Sequence, residues 1–189
     1  MRPDSQAREI YVAAGLEGEV SFEAFESAYA GYNSTVGRRR NVLTIIDFTK
    51  PSTEQRLWVI DIAGRRVLFH TLVAHGQGSG ENYATRFSNR SGSHQSSLGL
   101  YLTGATYNGG NGYSMTLDGL EPGVNDNARA RSVVVHGAAY VSPSVIASTG
   151  RLGRSWGCPA LPLDQTRPVI DAIKDGSVLY IHGHNEVGV

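Results

Sequence analysis

The chain has 189 residues, 40% of them hydrophobic, with 17 Lys+Arg against 17 Asp+Glu and a net charge of zero. That size suits one domain with a core large enough to need no disulfide staples. The charge balance leaves no basic field to recruit nucleic acid or anionic lipid, and no apolar run approaches the ~18 residues of a membrane span. Charged residues, at 18%, fall below the usual ~25%, and 23 glycines favour strands and tight turns over long helices. The N-terminus, MRPDSQAREI, lacks the apolar core of a signal peptide. A single cysteine cannot form an internal disulfide, so it leaves the compartment open.

Two helical patterns come first. Residues 5–15 start at a possible Ser5 cap and stop at Gly15, and residues 21–32 start at Ser21, with Phe22, Phe25 and Tyr29 at helical spacing. The triplet Arg38-Arg39-Arg40 reads as a solvated loop. Then the period changes. VLTIIDF (42–48), LWVIDI (57–62) and RVLFHTLVAH (66–75) read as three strands, the last two joined by the short connection Ala63-Gly64-Arg65. The long Gly/Ser/Asn-rich stretch 76–97 reads as a functional loop. Strands at 98–107 and 113–120 flank the turn signal NGGNG, and SVVVHG (132–137) is a short apolar strand. A short helix follows at 142–149, with Ser142 as cap and Pro143 first in the helix. A second helix covers 164–176, with Asp164 as cap and Pro168 in its first turn, and 177–183 is the closing strand. The expected fold is mainly β (α+β), with an N-terminal helical extension over 1–40 and a catalytic domain over 41–189.

The only cysteine, Cys158, lies in RSWGCPALP (154–162). It reads either as a small buried hydrophobe or as a nucleophile on a shaped turn. Gly157 before it lets the backbone turn sharply, so that neighbouring N–H groups can face one point and stabilise an oxyanion. A thiol nucleophile needs a base. Of six histidines, His75 and His136 end strands, where a side chain is held firmly beside a loop. His182 and His184 form an H-x-H pair that could bind zinc, but nothing in the spacing supplies a third ligand. GQGSG (76–80) is neither a nucleophile elbow nor a phosphate loop.

His136-Gly137 followed by R-L-G-R-S-W-G-C-P-A resembles the active-site signature of the L,D-transpeptidase (YkuD-type) catalytic domain, closest to its murein L,D-transpeptidase branch. Further stretches of residues 40–183, among them VAHGQGSG, RFSNRSGSHQSSLGLY and VVVHGAAYVS, resemble the same branch. Two departures stand out. The gap from His136 to Cys158 is 22 positions, slightly longer than the common form, and Trp156 stands where the wider family has a histidine.

The resemblance implies a YkuD-like β-sandwich or barrel-like fold and a cysteine acyltransferase working on peptidoglycan stem peptides, as donor and acceptor, without metal or cofactor. Cys158 would attack the carbonyl of a diaminopimelate, release D-alanine and pass the acyl group from a thioester to an amine. His136 would be the base. The amides of Gly157 and Cys158, with that of Trp156, would form the oxyanion hole. Arg154 and Arg131 would meet substrate carboxylates, or pair with local acids instead. His75, Ser97 and Gly137 would border the substrate groove, or brace the long loop by hydrogen bonds. Trp156 would cover the acyl chain, or anchor the turn in the core. The resemblance also implies carbapenem sensitivity, a monomer, and a periplasmic or cell-envelope location with the signal peptide outside this sequence. The alternatives are an L,D-carboxypeptidase or other cysteine hydrolase, with His182 or His184 as its base, and a non-catalytic wall-binding module.

Overall fold

The computed structural model describes residues 3–185, so the ends of the expected extension and catalytic domain, 1–2 and 186–189, lie outside the described residues. Helices α1 (Pro3–Ala13) and α2 (Phe22–Ser34) come first, followed by strands β1 (Val42–Asp47), β2 (Leu57–Asp61) and β3 (Arg66–Thr71). After the long loop come β4 (Gly99–Gly109), β5 (Gly112–Gly119) and β6 (Val134–Gly137). Helix α3 (Pro143–Thr149), the two-residue β7 (Ala160–Leu161), α4 (Leu163–Ile173) and β8 (Val178–His182) complete the chain.

The eight strands form one sheet in the order β3-β2-β1-β8-β4-β5-β6-β7. Among the named strands, β1/β8 and β6/β7 pair in parallel. The sheet curls until its ends meet. Beyond β3, Ala74 exchanges both hydrogen bonds with Ala160 of β7, at 2.9 and 3.3 Å. The result is a nearly closed barrel, as the resemblance implied.

Strands β1, β2 and β8 are covered on both faces, which explains their almost unbroken apolar sequence. Ile46, Leu57, Val59, Leu179 and Ile181 point into the barrel core, where they meet Tyr101, Met115, Val135 and the apolar stripe Val169-Ile170-Ile173 of α4. Leu43, Ile45, Trp58, Ile60 and Val178 point the other way and pack with Tyr11, Leu16, Phe25, Tyr29 and Tyr32. The alternation of period two thus serves two cores at once. The helical extension covers the outer face of the sheet.

The caps at Ser21 and Ser142 form as expected: their hydroxyls accept the N–H groups of Ala24 (3.1 Å) and Val145 (3.3 Å). Elsewhere the boundaries move. Helix α1 begins at Pro3 rather than Ser5. Strand β3 stops at Thr71, because the next residues leave β2: the buried Arg56 guanidinium takes the Val73 carbonyl at 3.0 and 3.1 Å, and Ala74 turns to β7. β6 starts at Val134, since Ser132 has φ +55° and closes the preceding turn. The NGGNG turn shrinks to Gly110-Asn111, with both strands running into it. Helix α4 is preceded by Pro162, not capped by Asp164, and Pro168 lies mid-helix, where it forfeits the bond to the Asp164 carbonyl.

Candidate active site

The parallel pair β6/β7 builds the site. His136 is in register with Ala160, and its N–H donates to the Pro159 carbonyl at 3.3 Å. Cys158 therefore enters β7 beside the start of β6. Its Sγ accepts the Val134 N–H at 3.5 Å and donates to the Ser132 carbonyl at 3.6 Å. Cys158 and His136 line one cavity of about 450 Å³, together with Arg131, Arg154, Trp156 and Tyr140. His182 and His184, the bases of the cysteine-hydrolase alternative, do not line it.

The protonation of His136 follows from its partner. Nδ1 lies 3.0 Å from the Gly137 carbonyl, which can only accept, so Nδ1 carries the proton and Nε2 is the basic nitrogen. Burial lowers the His136 pKa, and the Gly137 carbonyl partly restores it. Burial raises the Cys158 thiol, opposed by the Val134 N–H and by the Arg131 charge. Both shifts favour the neutral thiol–imidazole pair over thiolate–imidazolium at neutral pH. Alkylation of Cys158 by iodoacetamide is accordingly expected to keep accelerating with pH beyond the ordinary thiol range. A rate that levels off below pH 7 would mean a preformed ion pair and contradict this order.

The turn itself is stiff. Ser155 Oγ accepts the Gly157 N–H at 3.1 Å and donates to the Cys158 carbonyl at 2.6 Å. Gly157 sits at φ +119°, a region an L side chain rarely adopts, and a Cβ there would lie 2.8 Å from the Gln95 carbonyl oxygen. Gly76 packs against it so closely that its own Cβ would come 2.7 Å from Gly157 Cα. Ser96 Oγ ties the same two strands of loop together, accepting the Gly76 N–H at 3.0 Å and donating to the Gly157 carbonyl at 3.3 Å.

The electrostatics of the cavity are one-sided, for no carboxylate is among its lining residues. Arg131 donates to the Ser88 and Gln95 carbonyls (2.8 and 2.6 Å) and to the Ser97 and Ser93 hydroxyls (2.6 and 3.2 Å). All are neutral, so its charge stays uncompensated. Arg154 pairs with Glu81 at 3.0 Å, but Arg151 shares that carboxylate at 2.9 Å. One anion for two guanidiniums leaves positive charge beside the thiol, which suits an anionic substrate.

Of the residues singled out in the sequence, Cys158, His136, Arg131, Arg154 and Trp156 meet in this cavity. Trp156 is 72% exposed, which removes it from the core, and it stacks on His94 with centroids 5.0 Å apart. Gly157 precedes the thiol and donates its N–H to Ser155 Oγ. Three residues do not line this cavity. His75 is wholly buried, because Arg56 and the Gly80 carbonyl enclose its ring. Ser97 is buried beneath Arg131 and donates to the Ser88 carbonyl at 2.8 Å. Gly137 lies against Thr166 of α4, where a side chain has no room. Tyr140 and Asn111, which the sequence reading missed, line the cavity. Tyr140 follows the His136-Gly137 pair closely, a usable signal. Asn111 reaches the site only through the β4–β5 hairpin. The rings of His182 and His184 come within 4.9 Å, yet among the described residues no group of three or more His, Cys, Asp or Glu side chains could hold a metal ion.

A nearly closed barrel that carries an imidazole on β6 and a thiol on the turn leading into its parallel neighbour β7 defines a candidate thiol acyl-transfer site. A profile of the family described as L,D-transpeptidase catalytic domain matches residues 16–182. The chain belongs to that YkuD-type family. Among solved structures, it is similar to the helical cell shape determining protein Pgp2 from Campylobacter jejuni, at 14% identity and a TM-score of 0.50, over 98% of this chain and 57% of that one. It is also similar to an L,D-transpeptidase from Mycobacterium smegmatis (16% identity, TM-score 0.45, 76% of this chain and 59% of that one). A third is the L,D-transpeptidase from Stackebrandtia nassauensis (12% identity, TM-score 0.46, 95% and 77%). These likenesses concern the fold. The chain spans less than two thirds of the length of the first two. No curated protein matches the sequence.

Proposed function

We propose that this domain is a cysteine-dependent L,D-transpeptidase of peptidoglycan, working at the cell envelope as a monomer. The observation that carries the reading is the shared cavity: a thiol, an imidazole with its basic nitrogen unprotonated, and the guanidiniums of Arg131 and Arg154, the latter sharing the Glu81 carboxylate with Arg151 outside the cavity.

His136 Nε2 takes the thiol proton as Cys158 attacks the diaminopimelate carbonyl of a tetrapeptide stem. The oxyanion is held by the amides of Cys158 and Trp156, since the Gly157 N–H belongs to Ser155. The imidazolium returns its proton to the leaving nitrogen, D-alanine departs, and a thioester remains. An acceptor amine then attacks that thioester, His136 takes its proton, and the thiolate is expelled and reprotonated. Arg131 and Arg154 attract the stem carboxylates. Trp156, open to solvent at the cavity wall, covers the acyl chain and slows hydrolysis. Residues 1–40 serve the catalytic part, 41–189, as cover for its sheet rather than as a module of their own.

The test is incubation with purified disaccharide-tetrapeptide, read by mass spectrometry. Dimers that have lost one D-alanine are expected. Tripeptides without dimers would make the enzyme an L,D-carboxypeptidase. An unchanged substrate would point to a wall-binding module.

A further inference from the structure

Arg56 and His75 form a buried polar pair that the reaction above does not use. Both are fully buried. Arg56 donates to the Val73 and Lys50 carbonyls and, at 2.7 Å, faces His75 Nδ1 through Nη2. A guanidinium only donates, so Nδ1 must accept and the ring proton must be on Nε2. Nε2 in turn lies 3.2 Å from the Gly80 carbonyl, which needs a donor. The two partners thus leave one tautomer, the reverse of that in His136. Burial and the Arg56 charge also lower the His75 pKa to about 3, keeping the ring neutral.

The Gly80 carbonyl has a second donor, Arg154 Nη1 at 2.9 Å, from the cavity side. Arg154 Nη1 also reaches the Gln77 carbonyl at 3.3 Å. The backbone around His75 grips the same loop: the Ser155 N–H donates to the His75 carbonyl at 3.0 Å, and the Gln77 N–H to the Ser155 carbonyl at 2.8 Å. A continuous chain of contacts therefore runs from Arg56 through His75 and Gly80 to a guanidinium at the cavity wall.

We propose that His75, set by Arg56, is a positioning residue for substrate binding: through the Gly80 carbonyl it fixes where Arg154 presents its guanidinium to a donor carboxylate. This rests on the proposed transpeptidase reading for the ligand, but not for the geometry. His75 touches no substrate. It acts through a peptide group anchored from both sides.

Two near-isosteres separate the halves of the ring. His75→Asn keeps an acceptor near the Nδ1 position and loses the donor to Gly80, whereas His75→Gln keeps a donor near Nε2. For a tetrapeptide donor, His75→Asn is expected to raise KM about tenfold with kcat little changed, the scale of one lost charge-linked hydrogen bond. His75→Gln should recover most of that loss. In an Arg154→Met background, His75→Asn should add nothing further. A His75→Asn protein that melts earlier but keeps its KM would overturn the proposal, as would an undiminished effect in the Arg154→Met background. Should His75→Asn not fold, the ¹⁵N shifts of the wild-type ring decide: an Nε2–H tautomer is expected, and an Nδ1–H or doubly protonated ring overturns the relay. Lack of turnover by wild-type protein would instead sink the transpeptidase reading, and leave the tautomer result standing as a statement about the loop alone.

Discussion

Cys158→Ala is expected to abolish turnover of disaccharide-tetrapeptide, with a loss of about 10⁴-fold or more, while the melting temperature stays close to that of the wild type. The thiol makes two weak contacts, to the Val134 N–H and the Ser132 carbonyl, so little stability rests on it. Carbapenems sharpen the same test. Their strained acyl group offers the electrophile that the stem peptide offers, so intact-protein mass should rise by one carbapenem in the wild type and remain unchanged in Cys158→Ala. Dimers still formed by Cys158→Ala would transfer the chemistry to another group. A wild-type mass unaltered after long incubation would count against thioester formation.

Gly157→Ala is the second large effect. The substitution asks an L residue to hold φ +119° and drives its Cβ to 2.8 Å from the Gln95 carbonyl oxygen, an atom of the backbone. Relief requires the 93–97 loop or the 154–158 turn to move. Gln95 cannot yield freely, because its carbonyl accepts from Arg131 at 2.6 Å. Ser96 clamps the Gly76 N–H and the Gly157 carbonyl on either side. Strain and displaced hydrogen bonds together should cost about 2–4 kcal/mol of stability. The turn that carries Cys158 shifts with them, and a displacement near 1 Å at a reacting atom is enough for a loss of about 10²-fold in kcat/KM. Chemical denaturation and steady-state kinetics would show both. An alanine variant of wild-type stability would mean that the loop relaxes freely and that the turn is not held as described.

The two effects differ in how visible they are from residue order. Periodicity and short apolar runs are enough to place α1, α2 and strands β1 to β6 and β8, because each buries apolar residues that recur at its own spacing, whereas α3, which has no buried residue, is read from its Ser142 cap and Pro143. The caps at Ser21 and Ser142 were equally legible, being satisfied by an N–H three residues away. The two-residue β7 was not, since its pairing with β6 and Ala74 comes from contacts made far along the chain. β3 ends at Thr71, short of the 66–75 pattern, for a similar reason: Arg56 draws the Val73 carbonyl out of the ladder, and no local pattern records it.

By itself the sequence determined the class of fold, its family likeness and the identity of one thiol, one glycine beside it and one upstream histidine, all of which are local in residue type and spacing. Only the tertiary structure decided which polar residues face the cavity. His75 and Ser97 turn inward to the Gly80 carbonyl and to Arg131, and Gly137 packs its backbone against Thr166 of α4. Asn111 reaches the cavity from the tip of the β4–β5 hairpin, far from Cys158 in the chain, whereas Tyr140 lies close after His136. A side chain's direction and partners are settled by where a curled sheet brings distant backbone groups together, and a buried polar group left without a hydrogen bond there costs stability.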